Sequence, residues 1–184
     1  MILPDKQIAK ELHYGELGIE PFDESNIQPA SYDVELGNEI TRFHGEGIVD
    51  PLSDDPAEIT ERYFVADDGS IILRPGEFAL ATTKETVRMP DNLAANVDGR
   101  SSYGRYGLAV HITAGYIDPG FEGQITLELK NNNSHAIVLH PGECIAQLVF
   151  KRLSEACNVP YGEERGSHYQ NQTGAEPARL HEDE

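Results

Sequence analysis

The sequence predicts a mainly β fold, a sandwich, jelly roll or barrel, with one short helix in front of it. Helical periodicity is confined to the first fifteen residues, the remainder is a series of short apolar or alternating runs, and Gly, Pro and Asp stand between them. Many short strands with such punctuation are the pattern of layered or closed antiparallel sheets.

Met1 to Gly15 reads as the helix, with Pro4 at its start, Asp5 in the first turn, Ile8 and Leu12 one turn apart and Gly15 as the stop. Strand-like runs follow at Tyr32 to Leu36, Ile40 to Phe43, Tyr63 to Val65, Ile71 to Leu73, Glu77 to Thr83, Leu93 to Val97, Leu108 to Ile112, Ile125 to Leu129, Ala136 to Leu139 and Ile145 to Leu153. Two Pro-Gly-Glu turns, at Pro75 and Pro141, precede the similar strands FALATT and CIAQLVF and point to a duplicated hairpin. Asp54 to Glu61 and Asp67 to Ser70 read as exposed acidic loops. From Pro160 the chain becomes polar and glycine-rich, with Tyr161, Tyr169, Gln170, Asn171 and Gln172. By composition this is a disordered end; alternatively, its tyrosines stack on a base and close over a site.

At 184 residues the chain has the size of one domain with a tail and can bury a sizeable core. Thirty-two acidic residues against fourteen basic ones give a formal charge of −18, which repels nucleic-acid backbones and argues against general DNA or RNA binding. Only five of the basic residues are lysines; an acidic, lysine-poor surface fits a halophilic protein, whose self-repulsion high salt relieves, or simply an acidic one. No run reaches the length of a membrane span and no secretory leader is evident at Met1, so a cytoplasmic protein without membrane partners is expected. Cys144 and Cys157 allow at most one disulfide and form no C-x-x-C pair; His44-Gly45-Glu46 has the first half of a zinc deaminase signature, but no cysteine pair follows it.

Chemistry concentrates between Asp98 and Glu128. Ser101 and Ser102 open a short turn flanked by Arg100 and Arg105, which is either an anion site or a capped turn with surface arginines. Asp118-Pro119-Gly120 is strong turn punctuation, and Asp118 either braces that turn or holds a sugar hydroxyl or a water. In QITLELKN the alternation puts Ile125, Leu127 and Leu129 on one face and Glu128 on the other, facing water or a pocket. In a pocket, partial burial is expected to raise its pKa and suit it to carry protons.

GRSSYGR at 99 to 105, HITAGYIDPGFEG at 111 to 123 and ITLEL at 125 to 129 together resemble the dCTP deaminase branch of the dUTPase superfamily. IQPASYDVELG at 27 to 37, LRPGEFALATTKE at 73 to 85, HPGECIAQLVF at 140 to 150 and PYGEERGSHYQNQTG at 160 to 174 extend the likeness over nearly the whole chain. The resemblance implies a distorted jelly-roll or β-barrel of the dUTPase-like type: a β domain over residues 1–159, a nucleotide-covering lid over 160–174 and a disordered tail over 175–184.

It also implies hydrolytic deamination of dCTP in dUMP and dTTP precursor synthesis, without zinc, with Glu128 shuttling protons. Ser101 and the Ala114 carbonyl would hold the water or the amino group, and Arg105 would stabilise the site. Arg100, Ser101 and Ser102, with Tyr103 and Gly104 in the same motif, would meet the phosphates, whose charge Mg²⁺ neutralises. Asp118 would take the deoxyribose 3′-hydroxyl, Thr126 and Leu127 would present backbone to the pyrimidine, and Gln147, Tyr161 and Gln172 would complete the phosphate and lid contacts. His168 stands where relatives often carry lysine, and a neutral imidazole gives less to a triphosphate. Homotrimers with shared sites and dTTP as a feedback ligand are further family expectations. Thr113-Ala114-Gly115-Tyr116 resembles the bifunctional, dUMP-forming type, in which Asp118 positions water at the α-phosphorus. A deaminase stopping at dUTP, a dUTP diphosphatase and a non-enzymatic trimeric jelly-roll protein are the alternatives.

Overall fold

The computed structural model describes residues 1–180. Helix α1 (Asp5–Tyr14) starts after Pro4 in an extended conformation and ends where the Gly15 N–H returns to the Glu11 carbonyl. Ile8 is its buried anchor, and Glu11 pairs with Arg152 across the molecule. No helix among the described residues is long and apolar enough to cross a membrane.

The rest is β: β1 (Gly18–Glu20), β2 (Ile27–Gln28), β3 (Ser31–Phe43), β4 (Thr60–Phe64), β5 (Ile71–Leu73), β6 (Phe78–Arg88), β7 (Leu93–Gly99), β8 (Leu108–Ala109), β9 (Tyr116–Ile117), β10 (Glu122–Asn131), β11 (Ile137–Leu139) and β12 (Cys144–Arg152). One curled sheet runs β8-β10-β6-β3-β12-β7-β9, with β1 beside β6 and β2 and β4 beside β3, while β5 and β11 form a second, two-stranded sheet. In the core, Tyr32, Leu36, Leu127, Leu129, Leu148 and Phe150 have no solvent exposure. Each such side chain contributes roughly 1.5–3 kcal/mol by leaving water.

The runs expected at 32–36 and 40–43 are one strand, because β3 carries its pairing with β6 through a register shift between Leu36 and Ile40. Gly37 sits at that shift, where a Cβ would fall 2.7 Å from a Thr82 methyl. The run expected at 108–112 is a strand only over Leu108–Ala109. The backbone N–H of Ile112 donates instead to a carboxylate, as described below.

The Pro-Gly-Glu turns are duplicated, but not as hairpins, because β5 does not pair with β6 nor β11 with β12. Gly76 and Gly142 adopt φ of +74° and +83°. In each turn the glutamate carboxylate accepts from the backbone N–H three residues earlier, Arg74 to Glu77 at 2.7 Å and His140 to Glu143 at 3.1 Å. The strands before the turns, β5 and β11, pair with each other, and those after them, β6 and β12, flank β3 on its two sides.

Candidate active site

The strand β10 has β6 along one edge, but its other edge is paired only at its ends, by residues 171–172 near Gly123 and by β8 at Lys130–Asn131. Between them, Thr126 and Glu128 face a cavity of about 400 Å³. Ala114, Tyr116, Ile117 and Asp118, Phe121 and Ile125, Phe43, Phe78 and Leu80, and Tyr161, Tyr169, Gln172 and Glu176 to Ala178 of the C-terminal segment complete its lining.

Glu128 is half-buried, and its Oε2 accepts from the backbone N–H groups of Ile112 at 2.6 Å, Thr113 at 2.8 Å and Ala114 at 3.4 Å. Its Oε1 has only the Thr113 hydroxyl, at 3.4 Å. Burial pushes the Glu128 carboxyl up, but these N–H groups outweigh burial and hold it below its ordinary value. This corrects the expectation of a raised pKa: the alternation of β10 shows where the side chain points but not that a neighbouring loop turns its amides on it. The resting group is therefore an anchored carboxylate with one oxygen committed and one available.

Ala114 meets Glu128 through its N–H in this structure. Gly115 is buried, and a Cβ there would lie 2.8 Å from Nδ1 of His111, so no side chain fits beside that ring. Thr126 brings a hydroxyl to the cavity that is buried without a hydrogen-bond partner, a polar atom left for a ligand. Leu127 is fully buried, so only its backbone remains available for the recognition expected of it. Tyr161 stacks edge-on against Phe121 at 5.9 Å, its hydroxyl accepting from the Tyr169 N–H. Gln172 donates through Nε2 to the Gln124 carbonyl at 2.7 Å. His168 lies beside the Tyr169 ring and its carbonyl accepts from Arg179, outside the cavity lining.

The remaining expected residues form a second cluster. The short helix α2 (Ser101–Gly104) exposes Ser101, Ser102 and Gly104, keeps Tyr103 half-buried and is followed by an exposed Arg105 at its C-cap. Arg100 pairs with Asp33 at 3.4 Å. Gln147 lies opposite Asp33 on β3 and Asp98 on β7, and accepts from the Ser31 hydroxyl at 2.8 Å. None of residues 100–105 nor Gln147 lines the cavity around Glu128. Arg105 thus does not reach Glu128 within this chain, contrary to a simple reading in which one short helix serves the whole site.

Sequence reasoning passed over Asp33, which is 3% exposed, its carboxyl pushed up by burial and drawn back by Arg100. Its signal was a carboxylate at the third position of SYDVELG, a strand buried on both faces. Phe121 was likewise missed as part of the cavity. Of the tail expected to be disordered from Ala175, Ala175 is fully buried with its backbone bonded on both sides, and His181 to Glu184 lie outside the described residues.

A family described as dCTP deaminase-like matches residues 2–153. A relative from Dictyoglomus thermophilum named "dCTP deaminase, dUMP-forming" is 49% identical, the match covering 100% of this chain and 96% of that protein. A "dCTP deaminase" from Haloarcula marismortui is 45% identical, with coverage of 100% and 96%. A 2'-deoxycytidine 5'-triphosphate deaminase from Agrobacterium tumefaciens shares the fold, with a TM-score of 0.64 at 22% identity, over 82% of this chain and 47% of that one. By its sequence over residues 2–153, the chain belongs to the dCTP deaminase-like family.

Proposed function

We propose that this protein deaminates dCTP by hydrolysis and carries the product on to dUMP and diphosphate. The observation that carries the reading is the Glu128 carboxylate, fixed through Oε2 and open at Oε1, in a cavity bounded by Asp118, Thr126 and the tyrosines of the C-terminal segment. The names of the relatives from Dictyoglomus and Haloarcula support the deaminase, and the former supports dUMP formation.

Oε1 of Glu128 takes a proton from a water as the water oxygen attacks cytosine C4, and returns it to N3. A second proton, from the new hydroxyl, passes through the same carboxyl to the amino nitrogen; the C4–N bond then breaks, ammonia leaves and C4=O remains. A carboxylate held ionised at rest begins this sequence as the base. The unpaired Thr126 hydroxyl and the free edge of β10 are groups for the pyrimidine. Asp118 takes the 3′-hydroxyl and positions the second water, which attacks the α-phosphorus and releases diphosphate. Tyr161, Tyr169 and Gln172, in the segment 160–174, close over the nucleotide as a lid.

Arg100, Ser101, Ser102 and Arg105, with Gln147, bind the triphosphate and complete the reacting end. Since they lie outside the cavity of their own chain, this reading has them supplied to a neighbour's cavity in a homotrimer. Among the described residues no group of three or more His, Cys, Asp or Glu could hold a metal ion. Mg²⁺ would be bound through the triphosphate oxygens and would supply charge neutralisation against the acidic protein. dTTP shares the pyrimidine, the deoxyribose and the triphosphate, and would compete for the same groups. Work in high salt fits the charge of −18.

The test is Glu128→Gln, which keeps the shape of the anchor and removes the proton shuttle. dCTP binding is expected to persist while ammonia release falls by about 10³-fold. Substantial residual deamination would remove Glu128 from this role.

A further inference from the structure

We infer that Glu39, with Thr41 and Arg62, is a positioning site for the C-terminal lid, helping to hold it over the cavity through Ala175. The inference rests on the reading that dCTP occupies that cavity.

Glu39 and Thr41 lie on the face of β3 toward the cavity side, one 6% and the other 2% exposed. Buried polar groups need partners, and most of theirs come from the tail. Oε1 of Glu39 accepts from the Ala175 N–H at 2.6 Å, and the Thr41 hydroxyl donates to the Ala175 carbonyl at 2.6 Å. Both polar groups of one residue are thus held by two side chains two positions apart on a rigid strand. Arg62, opposite Thr41 on β4, orients Glu39 through Nε at 3.1 Å and reaches Glu176 at 3.7 Å.

Gly174 makes the approach possible. It adopts φ +82°, and a Cβ there would collide with the Glu39 carboxylate. Its N–H donates to Oε1 of Gln124 at 2.7 Å, which ties the same point to β10. On either side of this fixed point the chain lines the cavity, with Tyr169 and Gln172 before it and Glu176 to Ala178 after it. Ala175 is therefore one of the points that set the position of the cover, alongside the bonds of residues 170–174 to Gly120, Glu122 and Gln124, although neither Glu39 nor Thr41 touches the cavity.

Glu39→Ala removes the acceptor and the ion pair, Glu39→Gln keeps an acceptor for the Ala175 N–H, and Thr41→Val removes only the hydroxyl. The readouts are KM and kcat for dCTP, thermal midpoint without nucleotide, and trypsin cleavage after Arg179 followed by intact mass. Glu39→Ala is expected to raise KM roughly tenfold or more and to speed the cleavage, with Glu39→Gln recovering most of both and kcat changing less than KM. The thermal midpoint should stay near that of the unchanged protein. Unchanged KM in Glu39→Ala overturns the inference, whether or not the tail is cut faster. If Glu39→Ala does not fold, unchanged KM and cleavage in Thr41→Val overturn it. Absence of dCTP turnover in the unchanged protein counts against the functional reading instead, and the trypsin arm still tests the anchor.

Discussion

The two halves of the site differ in how far one chain finishes them. Around Glu128 the protein has spent its backbone: three loop amides converge on one carboxylate oxygen, and the C-terminal segment roofs the cavity. Around Ser101 the corresponding groups stand on a four-residue helix with Ser101, Ser102 and Arg105 exposed, braced through Arg100 to Asp33 and to the Cys144 and Ile145 carbonyls. A carboxylate that must carry protons needs a fixed geometry, whereas groups that grip a flexible triphosphate are completed by what they bind. On the function proposed above, the difference teaches that the closed half would hold the chemistry and the open half would be completed by a neighbour and a ligand.

The largest effect should come from dividing the halves between chains. Ser101→Ala alone is expected to lower deamination by about 10²-fold or more, and Glu128→Gln by more still. Co-expressed, the two inactive chains should regain activity, about one site in four if chains mix at random in a symmetric oligomer. No recovery would mean that each chain supplies both halves of its own site.

Asp118→Asn sharpens the comparison within the closed half. It should slow release of diphosphate at least as much as release of ammonia, each by roughly tenfold or more, read by following both products. Equal and slight effects on both would leave Asp118 as a turn brace, whose carbonyl already accepts from the Phe121 N–H.

The smallest effect concerns stability on the far side of β6. Glu85 is 1% exposed, and burial pushes its carboxyl up from 4.5 to about 7, although the Glu35 N–H bonds to it. The folded state therefore holds this proton where the unfolded chain has lost it, so stability falls as pH rises through the window from about 4.5 to 7. Above pH 7 the loss is complete, on the order of 3 kcal/mol. Glu85→Gln should raise the melting midpoint above pH 7 and leave it nearly unchanged near pH 4, so a constant difference across pH would refute this account.

Much of the closed half was legible in the sequence because it is written in local chemistry. Alternation in QITLELKN placed Glu128 opposite the core, and Asp118-Pro119-Gly120 announced its turn. The paired Pro-Gly-Glu turns were readable for the same reason, since each closes on its own glutamate. What sequence did not disclose depends on long-range partners. The lowered pKa of Glu128 comes from amides fourteen to sixteen residues away. Asp33 gains its meaning from Arg100, and the order of the tail from Glu39 and Thr41, more than 130 residues distant. Composition described Ala175 as part of a polar end because its anchors lie in another strand.

The most direct measurement is a time course of the purified protein with dCTP and Mg²⁺ in high salt, with ammonia, nucleotides and diphosphate separated. The account predicts ammonia, dUMP and diphosphate appearing together, without accumulation of dUTP. Accumulating dUTP would contradict the second step, and dCTP left intact while dUTP is cleaved would contradict the deaminase itself.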